Sequence, residues 1–576
     1  MTAAIAACCN LCDFEAERLQ SPPERRWLVI NDILEFPLDR SNRFVLPAEL
    51  RRAQSAGHPV LRVRRLGGDE VWMVIGYEEV KALYADPRLR RTNPNEPRDA
   101  SEKVTSELSA AVQADANHKA FRSRLGPCFS PQRLRRMRPG MERIVESLLD
   151  QLEYGPLPAD FHADLSFPLP TLVMCGVLGV PTAEFEKFRK WAGEFFDFGS
   201  SPADAMRSMT DYMRGLVARK RAEPDESFIT DLIAAEDGGL DDDTIAGLAV
   251  VMMLAGHVST VERIDVGMIL LMMNPDQWAQ LCADPSRVAA AVEEINRLAT
   301  VSGRAADGTY RYACSDIPIA GVTIRAGETV LLCRSAASRD ESVFANADRF
   351  DLGRQPIQNL EFAHGQWYCI GAALARMELA IVFERLARRF PAMRLAVAPE
   401  AVEWRQNSYL GGVLGLPVTW SRPAPAHQFC LRCPATPRAE TIWGLWRDAR
   451  TWPAWAGVDS AAFGGSFVPG STGFKKVAGR PPVPFRLVQV FEGNSWTSES
   501  ENAGTMIRTH HRIEGGADSL TVMYYVEIFG DETLAAKAGR ELRERVSREI
   551  SSLVEHAAHL DSLGAPESPA CPLPKG

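Results

Sequence analysis

One of the most apolar stretches of the chain runs from "IAGLAVVMM" (245–253) through "LAGHVSTVE" to "RIDVGMILLMM" (263–273), and it predicts one long buried helix. Glycine costs about 1 kcal/mol relative to alanine inside a helix, so Gly256, His257, Ser259 and Thr260 are out of character there. A second, amphipathic helix follows Gly371, with Leu374, Met377, Val382, Leu386 and Phe390 among its apolar positions. From "VLPAELRRAQ" to "GLPVTW" the pattern is mostly helical, broken by short strand signals such as "VWMVIGY" and "GVTIRAGETVLLC".

Past residue 439 the period changes. Leu520, Val522, Tyr524, Val526 and Ile528 alternate as a half-buried strand requires. Leu534, Ala538, Leu542, Val546, Ile550 and Leu553 then fall at helical spacing over about 532–558. The expected division is an irregular extension (1–35), a large α-rich domain (36–422), a Pro- and Ala-rich linker (423–437), a small α+β domain (438–558) and a disordered tail (559–576).

With 576 residues the chain exceeds one core. Composition is ordinary for a globular protein, at 46% hydrophobic and 24% charged. A net charge of −9 and a pI near 5.7 argue against a nucleic-acid partner. No uninterrupted run of about 20 apolar residues suggests a membrane span, and "MTAAIAACCNLCDFEAERL" lacks the basic start of a secretion signal. A cytoplasmic protein without a membrane partner is the expectation. Twelve cysteines are scattered along the length. Cys9 with Cys12, and Cys430 with Cys433, form two CxxC pairs that either share a metal or are reduced thiols.

The most informative string is "FAHGQWYCIGAALARMELAIVFERLARRF", residues 362–390. Cys369 precedes a helix, where the thiolate is favoured. Gly365 and Gly371 let a flat ligand come close to the backbone. On these residues alone, Cys369 is a thiolate ligand, a nucleophile or a buried structural thiol.

The pattern Phe362-x-x-Gly365-x-x-x-Cys369-x-Gly371, followed by Ala375-Arg376, resembles the haem-binding loop of the cytochrome P-450 family. "EEINR" resembles that family's ExxR pair through Glu294 and Arg297, and "NADRFD" supplies Arg349 as the third member of the charge cluster. "DANHKAFRSRL" resembles its propionate-binding helix through His118 and Arg122, with Arg311 and His364 at the other usual propionate positions. The resemblance spans about residues 36–422. It implies a mainly α haem-thiolate monooxygenase fold with small β-sheets, and haem b (iron-protoporphyrin IX) held by Cys369, His118, Arg122, Arg311, His364, Phe362 and Gly365. A cysteine thiolate on haem iron favours O–O cleavage. Electrons from NAD(P)H would arrive through an external ferredoxin and ferredoxin reductase. Arg133, Arg135, Arg136 and Arg138 form either a docking patch for such an acidic partner or a solvated helix end.

The same resemblance makes the helix around "LAGHVSTVE" the oxygen groove. Ala255 and Gly256 would leave room for dioxygen, and Ser259 would offer it a hydroxyl. Val258 stands where the family has a proton-relaying acid. Three explanations stay open: Glu262, one turn on, acts as a displaced relay; a substrate hydroxyl or carboxyl supplies the proton; or the protein is a peroxide-using or redox-neutral haem enzyme. A non-catalytic ligand-binding haem protein is the alternative from another class.

"AETIWGLWRDARTWPAWAGVDSAAF" and the strand signals after it resemble the helix-grip family of START-like domains and polyketide cyclases (SRPBCC), over about residues 438–558. That implies a C-terminal α+β helix-grip domain that binds a hydrophobic ligand or acts as a cyclase or aromatase. Arg508, His510 and His511 suit acid–base work, but neighbours on a strand face opposite ways, so at most one histidine lines a cavity. Taken together, the sequence predicts a monooxygenase that oxidises a hydrophobic, aromatic or polyketide-like natural-product intermediate.

Overall fold

The computed structural model describes residues 33–563, apart from 92–121, 197–201, 235–239, 300–307, 406–411, 422–424, 515–519 and several shorter breaks. The large hydrophobic core, from Leu125 to Trp420, is built around the helix Asp242–Met273. Asp241 starts this helix by accepting from Thr244 N (2.7 Å). It packs against helices Pro202–Ala222, Pro168–Leu178, Val288–Leu298 and Ala372–Arg389. Its length and hydropathy would suit a membrane span, yet over half of the apolar window is buried inside the protein and it carries buried Glu262 and Asp265. It is a core helix.

A six-stranded mixed sheet stands beside this core, in the order Leu34–Glu35, Val60–Arg64, Glu70–Val74, Thr329–Leu332, Thr309–Ala313, Leu89–Arg90. The strand signal "VWMVIGY" falls in it, and "GVTIRAGETVLLC" divides, Thr329–Leu332 joining this sheet and Val322–Ile324 pairing with Ile317–Ile319 in a two-stranded one. Smaller sheets of three and two strands complete this half. Residues 338–354 between the sheet and the Cys369 loop are turns without helix or strand. Their backbone is satisfied by one buried ion pair. Arg297 donates to Glu294 through Nε–Oε1 (2.7 Å) and Nη2–Oε2 (2.8 Å), with the two residues 1% and 4% exposed. Its remaining donors reach the carbonyls of Ser338 (3.2 Å), Ala347 and Arg349 (3.0 Å). Glu294 also accepts from Asp351 N (3.0 Å) and from Arg354 Nε (3.0 Å). The third charge is therefore Arg354. Arg349, expected in that role, contributes only its carbonyl.

The second core lies between residues 429 and 557. Seven antiparallel strands run in the order His427–Ala435, Leu520–Phe529, Thr505–Glu514, Ser495–Asn502, Val483–Phe491, Thr472–Lys476, Ser460–Phe463. The helix Glu532–Ser562 crosses the first two of these. Asp531 caps it at Thr533 N (2.9 Å) and Leu534 N (3.1 Å). Gly539 permits the contact, because a Cβ there would lie 2.0 Å from His427. Gln489 Nε2 reaches the Gln151 carbonyl (3.3 Å), joining this sheet to the helix Pro131–Tyr154.

Three expectations need correction. The stretch 423–437, read as a linker, contains an edge strand paired over nine residues with Leu520–Phe529. Its prolines misled: Pro434 is tolerated because an edge strand leaves one row of N–H groups unpaired. The last helix extends to Ser562, and its buried face runs through Ala535, Gly539, Leu542, Val546, Ile550 and Leu553, leaving Leu534 47% exposed. Cys430 and Cys433 stand three apart on a strand, with Cys430 exposed and Cys433 half-buried, so they face opposite ways and cannot share a metal. Among the described residues no cluster of three or more metal-ligating side chains exists, and Cys9 and Cys12 lie outside them.

Two predictions follow from the core. Glu294→Ala leaves the Arg297 guanidinium buried and unpaired, so chemical denaturation is expected to register a loss of about 3–5 kcal/mol. Glu378 in the helix Ala372–Arg389 is 2% exposed, has no hydrogen-bond partner for Oε1 among the described residues, and has its carboxyl pushed up to about 8 by burial alone. Its folded pKa exceeds the ordinary 4.5, so its contribution to stability is full below about pH 4.5 and is lost as pH rises through about 8. Denaturation midpoints at pH 6 and pH 9 should show Glu378→Gln gaining on the wild type at the higher pH.

Candidate functional site

Glu361 is the node from which the Cys369 loop hangs. Arg263, on the central helix, pairs with Glu361 Oε2 (3.1 Å), and Arg334 Nη1 donates to the Glu361 carbonyl (2.7 Å). From there the chain turns sharply: Ala363 at φ 60° and Gly365 at φ 59° both adopt the left-handed conformation, and Cys369 N donates back to the Phe362 carbonyl (2.8 Å). For alanine that conformation is strained. A single 3₁₀ turn, Gly365–Trp367, leads to Cys369, an exposed residue.

Four guanidiniums and a phenol gather around this loop. Arg122 Nη1 donates to the Tyr368 carbonyl (2.5 Å). Arg376 bonds the Tyr368 hydroxyl (2.9 Å) and Glu293 (2.5 Å), and lies over the Phe362 ring at 4.4 Å. Arg311, 5% exposed, lies over Trp367 at 4.8 Å. Burial pushes the Cys369 thiol up, while the Gly371 backbone and the Arg334, Arg122 and Arg376 guanidiniums pull it down. His364 is half-buried at the start of the 3₁₀ turn. His118 lies outside the described residues.

Arg334, Arg354 and Tyr368 were missed in the sequence. Arg334 left a signal, being a charge inside the apolar run "TVLLCRSAA". Its Nε is buried without a hydrogen-bond partner among the described residues.

On the central helix, Ala255 and Ser259 are exposed while Leu254, His257 and Thr260 beside them are buried. The helix is unbroken here, and the hydroxyls turn back on it, Ser259 to the Ala255 carbonyl (3.0 Å) and Thr260 to that of Gly256 (2.9 Å). Gly256 answers to packing: a Cβ would stand 2.6 Å from Met174 Sδ. Of the pair expected to leave room for oxygen, Ala255 is exposed and Gly256 is half-buried. His257 points away, its Nε2 near the Phe167 carbonyl (3.2 Å), and burial lowers it to about 4. Glu262 is 3% exposed, one turn beyond Val258.

In the C-terminal sheet the two histidines part as strand geometry demands. His510 bonds Glu527 (3.0 Å) and Thr497 (3.0 Å), alongside the Arg508–Glu499 pair (2.8 Å). His511 turns inward, 4% exposed, with its ring stacked on Trp496 at 3.7 Å.

The Glu294 pair and the Cys369 loop both lie in a stretch that a known family's model matches. Residues 286–403 match the family model for Cytochrome P450. Pentalenolactone synthase of Streptomyces exfoliatus is 40% identical over 401 residues, covering 68% of this chain and 100% of that protein. Mycinamicin IV hydroxylase/epoxidase of Micromonospora griseorubida is 36% identical, over 63% of this chain and 92% of that one. Among solved structures, cytochrome P450 MoxA from Nonomuraea recticatena superposes with a TM-score of 0.63 at 33% identity, and the mixed-function P450 MycG with 0.61 at 32%. Each covers 68% of this chain, and 99% and 100% of the neighbour. This chain belongs to the cytochrome P450 family and is an oxidoreductase of the P450 monooxygenase type, akin to enzymes of natural-product biosynthesis. The family implies a haem iron and the use of redox partners.

Proposed function

We propose that this monooxygenase oxidises a hydrophobic, aromatic or polyketide-like natural-product intermediate on haem b, with Cys369 as the thiolate ligand. The observation that carries the reading is the Cys369 loop itself: an exposed cysteine in a loop tied through Glu361 to the central helix, with Arg122, Arg311, Arg334 and Arg376 around it. These residues fit a haem. The unpartnered, buried Arg334 Nε suits a carboxylate acceptor, as do Arg122 and Arg311 with their propionate-type positions. When bound, the haem supplies oxygen activation. The chain's part is to hold the loop, exclude water and deliver protons.

Proton delivery centres on Val258, which has none to give. Glu262 lies one turn further on the same helix, and Ser259 offers an exposed hydroxyl between them, so the relay would run through Glu262 and Ser259. Electrons are expected from NAD(P)H through ferredoxin reductase and ferredoxin, with the arginines of 133–138 as the docking surface. Part of that patch is engaged internally, since Arg133 pairs with Asp231 (3.0 Å) and Arg138 with Glu142 (2.8 Å).

The second half of the chain is read as a START-like, polyketide cyclase-like helix-grip domain fused to the haem domain. A seven-stranded antiparallel sheet with a long helix laid across its first two strands and an aromatic interior supports that reading. It would begin at the strand His427–Ala435, earlier than residue 438. Its role here is to hold the hydrophobic substrate or product.

Cys369→Ala is expected to purify with little haem per chain, and Arg334→Leu with a haem content between that of Cys369→Ala and wild type. Haem-to-protein ratio after gel filtration measures both. Turnover with ferredoxin, reductase and O2 should exceed turnover with hydrogen peroxide alone; the reverse ranking would install the peroxide-using alternative. Under the first conditions Glu262→Gln should raise hydrogen peroxide release per NAD(P)H consumed about tenfold, and unchanged coupling would remove Glu262 from the path.

A further inference from the structure

Glu293 and Glu294 are neighbours on the helix Val288–Leu298, where successive side chains point about 100° apart. Glu294 faces Arg297 and the turns of 338–354, whereas Glu293 faces the Cys369 loop. The two Glu293 oxygens take Arg376 Nε (2.5 Å) and Nη2 (3.2 Å). A two-bond fork of this kind fixes the plane of the guanidinium. Glu293 Oε2 also accepts from Asn359 Nδ2 (3.0 Å), and Asn359 Oδ1 accepts from Glu361 N (3.2 Å), so the carboxylate is held from the loop side as well.

Arg376 spends the rest of its surface on the loop. Its Nη1 donates to the Tyr368 hydroxyl (2.9 Å), and its central carbon lies 4.4 Å from the middle of the Phe362 ring. These two residues are the two limbs of the loop. Phe362 receives Cys369 N at its carbonyl (2.8 Å), and Tyr368 directly precedes Cys369. One cation therefore touches both limbs, and Arg122 pins Tyr368 at its carbonyl (2.5 Å). For overall stability the Glu293–Arg376 pair counts for little, because 43% and 31% of the two side chains are exposed. Its place matters more than its strength. A cation near a cysteine sulfur holds back negative charge that the sulfur would otherwise share with a bound metal, and a carboxylate paired with that cation offsets the pull. The Arg376 charge is among those felt at Cys369.

We propose that Glu293 is a positioning residue for the haem reaction: through Arg376 it fixes Phe362 and Tyr368 on either side of Cys369 and offsets the guanidinium charge, and so sets how much electron density the sulfur gives to the iron. The inference rests on the reading of Cys369 as the haem thiolate and adds a residue that does not touch the haem.

The test is a spectroelectrochemical titration of the full-length, haem-loaded protein without redox partners. Glu293→Gln leaves the Arg376 charge uncompensated, and a cation near the thiolate favours the reduced, more negative centre. The ferric–ferrous equilibrium should therefore move about fourfold toward ferrous. Arg376→Met removes the cation and should move it by a similar factor the opposite way. Glu293→Asp keeps the carboxylate and should return the wild-type value. The shifts should shrink in about 1 M salt, which screens exposed charges. A pair with a merely structural role would lose haem in both variants without shifts of opposite sign. If Arg376→Met loses its haem, the salt-dependent shift of Glu293→Gln decides alone. No shift in Glu293→Gln, or shifts of the same sign in it and Arg376→Met, overturns the assignment and leaves the haem–thiolate reading standing. A wild type that takes up no haem overturns both.

Discussion

Two nitrogens of Arg297 meet two oxygens of Glu294 in a place that water does not reach, and the catalytic half of the molecule is arranged around that pair. A buried ion pair is stable only when its remaining lone pairs and protons are also satisfied. Here they are satisfied by the backbone of 338–354, a stretch with no helix or strand to bond its own carbonyls. The dependence is mutual. The turns neutralise the pair, and the pair gives the turns one conformation, which sets where the chain enters the loop of Cys369. Glu361 repeats the device on a smaller scale by tying that loop to the central helix through Arg263.

The central helix meets two demands on different faces. One face is packed, with Gly256 against Met174, His257 against Phe167, and Gly267 too close to Phe383 and Ile295 for any side chain. The other exposes Ala255 and Ser259 in the middle of an otherwise buried run. Its glycines and hydroxyls are thus only partly about chemistry. Glycine permits helix contact, and Thr260 bonds its own helix. Val258 sits half-buried at the edge of that exposed face.

In the C-terminal half the alternation of a strand assigns chemistry to sides. The outer side has a ladder of polar pairs, Arg508 with Glu499 and His510 with Glu527, while the inner side has aromatic rings and His511. Adjacent histidines therefore do unrelated things. Trp446 binds the Tyr524 hydroxyl (3.2 Å), so two large polar aromatics are satisfied within the core. Nδ1 of His511 has no hydrogen-bond partner among the described residues.

Much of the site was legible because its elements are local. The Cys369 loop, the Glu294–Arg297 spacing and the odd residues of the central helix each lie within a few positions of one another, and spacing alone decides which share a face. The strands of the second half were legible for the same reason, from Leu520 to Ile528 by period two. Arg354 in place of Arg349, the edge strand hidden in a Pro-rich stretch, Leu534 turned outward and Arg334 beside Cys369 were not legible. Each depends on a partner distant in sequence: Arg354 on Glu294, His427–Ala435 on Leu520–Phe529, Arg334 on Glu361. The sequence by itself determined the family, the thiol at Cys369 and the missing acid at Val258, because these are matters of residue identity and short-range order. Only the tertiary structure decided which histidine turns inward and which arginine completes the buried cluster. Those choices are made by burial and by hydrogen-bond partners that the linear order of the chain does not bring together.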